Sequence, residues 1–248
     1  MSRKPLIIAH RGFSGRFPEN TIRAVKEALR LGVDGVEVDA RMTKDGVVVL
    51  MHDETVDRTT NGHGKVKELT WGEIMRLDAG SWKGEEFSCE PVPRLEEVLS
   101  ETVGRAVLHI EVKEVGVERA VLRLVQEYDA LNWVVIDSFY PEVIKNAYLV
   151  EPRVGRILTL GWLEDNDEAG GDLPIQKVFS CAANGLSLYM GHATEKTIGH
   201  AHRRLLSVSV WTVNNVGDAL RLAELGADAL VTDYPDVLLN YLRNENKQ

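Results

Sequence analysis

Cysteine is scarce in this 248-residue chain: Cys89 and Cys181 stand far apart, without CxxC spacing. That excludes a disulfide framework, argues against a structural zinc knot and fits a reducing compartment. Long apolar runs are missing too. No stretch approaches the roughly 20 apolar residues of a membrane span. The N-terminal run Leu6–Ala9 is cut short by His10-Arg11, too early for a secretory signal. The expectation is a soluble, cytoplasmic protein with no stable membrane insertion. Basic residues are outnumbered, 29 Lys and Arg against 38 Asp and Glu, for a formal charge of −9. Nucleic acid is then a poor main partner, since gripping a phosphate backbone needs a basic surface. A small anionic substrate needs only a local cation and stays open. Repeats, low-complexity tracts, a Gly-rich nucleotide loop and a nucleophile elbow are all absent.

With 44% hydrophobic residues the chain can build an ordinary core. Short apolar runs recur as candidate strands: Leu6–Ala9, Gly35–Asp39, Val47–His52, Ala106–Val112, Trp133–Asp137, Gly155–Leu158, Gly185–Leu188, Leu206–Val213 and Ala229–Thr232. Helical patterns fill most gaps: Thr21–Leu31, Leu95–Thr102, Val117–Tyr128, Pro141–Val150, Ile175–Ala182, Glu195–Arg204, Val216–Leu225 and Pro235–Arg243. Such alternation predicts a parallel sheet, closed or doubly wound. Nine strands are one too many for an eight-stranded barrel. No crossover helix fits between Asp39 and Val47, and Thr43-Lys44-Asp45-Gly46 is a turn signal. Val47–His52 is therefore read as the return arm of a hairpin extending the second barrel strand. The expectation is an α/β fold, a single TIM (β/α)₈ barrel domain over residues 1–248. Residues 53–93 break the alternation and form a small inserted subdomain after that strand.

Strand alternation sorts the charges. Glu37 and Asp39 share one face of their strand, and His109, Glu111 and Lys113 share one face of theirs. In a barrel the apolar faces pack on helices, so these polar faces point into the lumen near the C-terminal rim, where barrel enzymes place their sites. Glu37, Asp39 and Glu111 buried together need neutralising. Two readings stand: a divalent cation, with carboxylate oxygens suiting Mg²⁺ or Ca²⁺ better than zinc, or structural ion pairs with Arg11, Arg41 or Lys113. His10 and His52 end separate strands near this cluster and can serve as general acid and base. Arg11 can fork a phosphate or pair with an acid. His63, His192, His200 and His202 lie in loop or helix-surface contexts and receive no role.

Several of these residues sit in ordered motifs: His10-Arg11-Gly12, Pro18-Glu19-Asn20-Thr21, Glu37-Val38-Asp39, His52-Asp53 and Arg58-Thr59-Thr60. Leu77-Asp78-Ala79-Gly80, Pro93-Arg94-Leu95, Ile110-Glu111-Val112-Lys113, Ser138-Phe139, Trp211-Thr212-Val213-Asn214 and Thr232-Asp233-Tyr234-Pro235 follow in order. Together they resemble the glycerophosphodiester phosphodiesterase family, with Val154–His202 matching least. The resemblance implies a TIM barrel and hydrolysis of small-molecule glycerophosphodiesters to sn-glycerol 3-phosphate and an alcohol. It implies His10 and His52 as the acid/base pair, and Glu37, Asp39 and Glu111 as ligands of a divalent metal, with Mn²⁺ a further candidate. It also implies Arg11 and Lys113 at the phosphate, Trp211 as an apolar wall for glycerol, and the substrate's own hydroxyl as nucleophile. Asn20 is either part of that site or the N-cap of the helix from Thr21. Two rival enzyme readings remain. One is a related barrel phosphodiesterase acting on lipid head groups; the other is a lyase or isomerase using Lys113 in Schiff-base or proton-transfer chemistry. Residues 53–93, next to His52, are expected to cover the site opening and select the alcohol. Oligomeric state is not legible.

Overall fold

The alternation of short strands and amphipathic helices closes a sheet on itself. The structure is a computed structural model and describes residues 4–161 and 173–244. The first three residues of Met-Ser-Arg-Lys-Pro, and residues 162–172 within the weakly matching Val154–His202 stretch, lie outside the described residues. The strands are β1 (Leu6–Ala9), β2 (Gly35–Met42), β3 (Val48–Leu50), β4 (Val107–Val112), β5 (Val134–Ser138), β6 (Gly155–Leu160), β7 (Gly185–Tyr189), β8 (Ser207–Trp211) and β9 (Ala229–Thr232). All but β3 run parallel, and β1 pairs with both β2 and β9, which closes an eight-stranded barrel. Helices connect successive strands on the outside. The expected TIM barrel is thus the observed one. No described helix is long and apolar enough to cross a membrane.

The ninth strand is a hairpin arm. β3 lies antiparallel on the end of β2, with Ala40 opposite Leu50 and Met42 opposite Val48. The turn between them is built as its residues suggest. Thr43 Oγ1 donates to Asp45 Oδ1 at 2.6 Å, and Gly46 takes a φ of 86°, a left-handed value that suits glycine. His52 falls just beyond β3 rather than within it. Trp133 ends a short 3₁₀ turn and β5 begins one residue later.

Along β2 the outward Val36, Val38 and Ala40 are fully buried against the helix layer. Leu108, Ile110 and Ile136 do the same on β4 and β5. Each of these valine, leucine and isoleucine side chains contributes about 1.5–3 kcal/mol on leaving water. Helix Ile22–Leu31 carries one apolar stripe into this layer and stops at Gly32, φ 73°. Its cap is Thr21, whose Oγ1 accepts from the Ala24 N–H at 3.2 Å. The alternative of Asn20 as cap is therefore corrected. Asn20 sits at φ 58° with its side chain turned into the barrel mouth. Within residues 53–93, Val56, Val66, Ile74, Ala79 and Val92 make a small core of their own against Val49 and Met51 of the hairpin. This packing anchors the segment on the hairpin that leads into His52.

Candidate active site

Register brings the lumenal charges together. Asp39 lies opposite Glu111 across the β2–β4 ladder, and Glu111 opposite Asp137 across β4–β5. Glu37, Asp39 and Glu111 each turn a carboxylate oxygen to one point, all within 4.8 Å of one another. Asp39 is 1% exposed and heavily neutralised. Lys113 Nζ stands 3.2 Å from Oδ1, Arg11 Nε 3.3 Å from Oδ2, and Asn20 Nδ2 donates to Oδ2 at 2.7 Å. Burial alone would raise its pKa, but Lys113 and Arg11 outweigh burial and hold the carboxyl well below the usual aspartate range. Lys113 also donates to Glu111. Glu37 fares differently. Its Oε2 accepts the Arg11 backbone N–H at 2.8 Å, while Oε1 is buried with no partner. Burial, then repulsion from Asp39 and Glu111, pushes the Glu37 carboxyl well above the ordinary glutamate range. Burial and Asp39 raise Glu111 as well.

Both readings of the acids therefore have a share. Arg11 and Lys113 pair with Asp39 and Glu111, yet Glu37 keeps an orphaned oxygen and an unfavourable charge. An all-oxygen donor set with an unpaired buried acceptor fits a hard divalent cation. Glu37, Asp39 and Glu111 would hold it. Arg41 does not join them, because it donates from Nε and Nη2 to the His52 carbonyl, at 3.1 and 2.8 Å, and pairs with Glu114.

The two histidines are anchored alike. His10 donates from Nδ1 to Asp233 Oδ1 at 2.6 Å, and His52 from Nδ1 to Asp53 Oδ1 at 2.7 Å. An ionised carboxylate only accepts, so Nδ1 carries the proton in each and Nε2 is the nitrogen left for chemistry. In His10 that nitrogen is 4.0 Å from Glu37 Oε2. Asp233 further accepts from Ser14 Oγ at 2.9 Å and Asn214 Nδ2 at 2.7 Å. Burial would raise Asp233, but these donors overcome it and hold the carboxyl down at about 2. Asp53 is clamped by Arg58, whose Nε donates at 2.6 Å. Arg58 continues to Glu19, which also accepts from Arg11 Nη1 at 2.8 Å. Burial lowers the His52 pKa, and Lys113 and Arg11 lower it further against the pull of Asp39.

His10, Arg11, Glu37, His52, Glu111 and Lys113 face one cleft of about 190 Å³. Trp211 forms part of its far wall, edge-on to Phe139 at 5.6 Å and to Tyr189 at 5.8 Å between ring centroids. All eight residues singled out from sequence thus meet at one place. Supporting residues that did not receive roles there include Glu19, Asp53, Arg58, Asn214, Asp233 and Asp137. All but Asp137 lie in the quoted motifs, and Asp137 could have been found from the same alternation that exposed Glu37. A second cleft, about 380 Å³, opens on the other side of His10 and Arg11. Trp82 and Lys83 of the inserted segment line it, and Lys83 Nζ donates to the Ser14 carbonyl at 2.8 Å.

Comparisons with known proteins agree with this geometry. Residues 10–237 match the model of the Glycerophosphoryl diester phosphodiesterase family. A glycerophosphodiester phosphodiesterase of Caldanaerobacter subterraneus subsp. tengcongensis is 36% identical over 249 residues, covering 97% of this chain and 98% of that protein. The crystal structure of a glycerophosphodiester phosphodiesterase from Agrobacterium tumefaciens superposes with a TM-score of 0.83 at 30% identity, over 95% of this chain and 99% of that one. The structure of an Oleispira antarctica phosphodiesterase, in complex with the product sn-glycerol-3-phosphate, does so with a TM-score of 0.88 at 27% identity, over 97% of each chain. With two carboxylate-anchored histidines facing a buried acidic cluster in a barrel of this shape, the chain belongs to the glycerophosphoryl diester phosphodiesterase family and is a phosphodiesterase of it.

Proposed function

We propose that the protein hydrolyses glycerophosphodiesters to sn-glycerol 3-phosphate and an alcohol, using His10 and His52 as the proton-transfer pair. The observation that carries this reading is the placement of both histidines, each with Nδ1 tied to an aspartate, on one cleft with Glu37, Asp39 and Glu111. Those three carboxylates would hold a divalent cation, Mg²⁺ or Ca²⁺ with Mn²⁺ a further candidate, which supplies charge for the phosphoryl oxygens when bound. One histidine takes the proton from the substrate's glycerol hydroxyl as it attacks phosphorus. The other gives a proton to the departing alkoxide. Water then opens the cyclic phosphate with the two roles exchanged. Arg11 and Lys113 add fixed positive charge beside the phosphate in a partly dry cleft. Trp211 offers the glycerol carbons an apolar wall.

Lys113 also weighs against the Schiff-base rival. Burial would lower its pKa, but Asp39 and Glu111 raise it above the ordinary lysine value. A lysine held protonated between two carboxylates is a poor nucleophile. The net charge of −9 argues against an anionic lipid surface or nucleic acid as the main partner. The two free cysteines favour a cytoplasmic setting.

The test is a panel of glycerophosphodiesters incubated with the protein and Mg²⁺, Mn²⁺ or Ca²⁺, with coupled detection of glycerol 3-phosphate. Cation-dependent release is expected. His10→Ala and His52→Ala should each lower kcat by about 10²–10⁴-fold with the fold intact. A substrate with a p-nitrophenol leaving group should rescue the mutant of the acid only. Absence of glycerol 3-phosphate from every diester with every cation refutes the proposal.

A further inference from the structure

Three buried carboxylates converge at the barrel mouth, and a fourth stands beside them. Asp137 on β5 is the ladder partner of Glu111, so it occupies the same tier as Asp39 and Glu111, one strand further round. Ile136 turns outward into the fully buried helix-facing layer, which leaves Asp137 lumenal. It is 7% exposed and lines the same cleft as Glu37 and Glu111. Its Oδ2 accepts from His109 Nδ1 at 3.1 Å, one layer deeper in the lumen. Its Oδ1 is buried with no partner.

A buried carboxylate oxygen without a donor loses its water and gains nothing in exchange. Here two such oxygens, Asp137 Oδ1 and Glu37 Oε1, belong to residues that share one cleft. Carboxylates cannot satisfy one another without a proton or a cation between them. Asp137 also adds a further carboxylate to the tier that already holds Asp39 and Glu111. A residue kept only to bind His109 would gain nothing from that second oxygen, nor from a place beside three more acids.

We infer that Asp137 is a positioning residue of the cation centre. Its free Oδ1 would accept from a water on an ion held by Glu37, Asp39 and Glu111, and His109, bonded to the other oxygen, fixes the carboxylate in place. The inference rests on the proposed cation site. Carboxylates and histidines just outside a metal's ligands commonly change its affinity by 10–100-fold.

The experiment is calorimetric titration of Mn²⁺, and separately Ca²⁺, into chelator-stripped full-length protein, together with thermal melts in chelator. Asp137→Asn keeps an oxygen for the His109 N–H and removes the charge. It should weaken cation binding about 10–100-fold, while the metal-free melting temperature stays level or rises, because a buried uncompensated charge is gone. His109→Gln should weaken binding in the same direction by less. If the cation-free melting temperature of Asp137→Asn falls and its cation affinity equals wild type, Asp137 is structural and the inference is overturned. Unchanged cation affinity with a raised KM makes Asp137 an acceptor for a substrate hydroxyl, which also overturns it. Should Asp137→Asn not fold, Asp137→Ser is titrated in its place against the same two outcomes. Absence of cation binding by the wild type defeats the proposed cation site itself. Binding by wild type that is lost in Glu111→Gln and retained in Asp137→Asn defeats only the present inference.

Discussion

Asp233 is predicted to work through His10 and through nothing else in the reaction. The perturbation is Asp233→Asn. The carboxyl is held from the ordinary aspartate value of 3.8 down to about 2, against burial, by His10, Asn214 and Ser14. That difference corresponds to roughly 2 kcal/mol, the net of three donors working against burial, and it sets the scale of what His10 gains from the anion. Roughly 2 kcal/mol on a barrier is about 30-fold in rate. Asp233→Asn should therefore lower kcat by about 30-fold, less than the roughly 10²–10⁴-fold expected for His10→Ala. In a His10→Ala background the second change should cost almost nothing, because residues that act as a unit are not additive. Single-turnover release of glycerol 3-phosphate measures the chemical step for all four proteins. A further loss of about 30-fold in the double mutant would refute the reasoning. The same aspartate predicts a stability signature. Its folded-state value lies below its unfolded one, so its contribution is fully present above about pH 4 and disappears as pH falls toward 2. The melting-temperature gap between wild type and Asp233→Asn should be widest near neutrality and close on acidification.

Glu37 and Glu111 hold protons above the ordinary range, and a cation must displace them, so cation affinity should rise with pH through the weakly acidic range. Affinity by titration that is flat or falling with pH contradicts this. Excess chelator should abolish turnover, and Glu111→Gln should require much higher cation concentration to regain it; full activity after exhaustive stripping would exclude the cation. Replacing residues 61–90 with a short loop, which keeps Asp53 and Arg58 on His52, should shift preference across the diester panel more than it shifts cation affinity, since Trp82 and Lys83 line a cleft shared with His10 and Arg11. An unchanged preference in a folded variant removes the segment as selector. Asn20→Ala breaks two buried hydrogen bonds to Asp39 and places alanine at φ 58°, so it should destabilise by about 2–4 kcal/mol in denaturant melts; a cost under about 0.5 kcal/mol would mean that Asn20 is dispensable.

The barrel was legible because its two periodicities are strong. Val36, Val38 and Ala40 alternate with Glu37, Asp39 and Arg41, and each helical stretch carries one apolar stripe. The hairpin was legible by exclusion, because seven residues between Asp39 and Val47 leave no room for a crossover helix. Strand ends blurred by one to three residues. The ladder stops where partners diverge: the β7–β8 pairing ends at Trp211, and beyond it the Val213 N–H donates to the Val231 carbonyl of β9. Asn20 and Thr21 could each cap the helix from a sequence standpoint. Thr21 does so, because Asn20 adopts a left-handed backbone that carries its amide to Asp39.

What stayed hidden is the set of partners that fix the reactive groups. His10 and Asp233 are separated by 223 positions, and only closure of β9 onto β1 makes them neighbours. Arg58 reaches both Asp53 and Glu19 from a loop with no periodicity to read. Arg41 shows the reverse case. Alternation puts it on one face with Glu37 and Asp39, yet β3 pairs beside it in the hairpin and its guanidinium meets the His52 carbonyl just beyond that arm. Period-two patterning therefore tells which face a charge takes but not which partner it finds there. In a lumen this crowded the partner decides the chemistry: Asp39, with two cations and an amide, is held well below the ordinary aspartate range, while Glu37, two residues earlier on the same face, has one backbone N–H and is pushed well above the ordinary glutamate range.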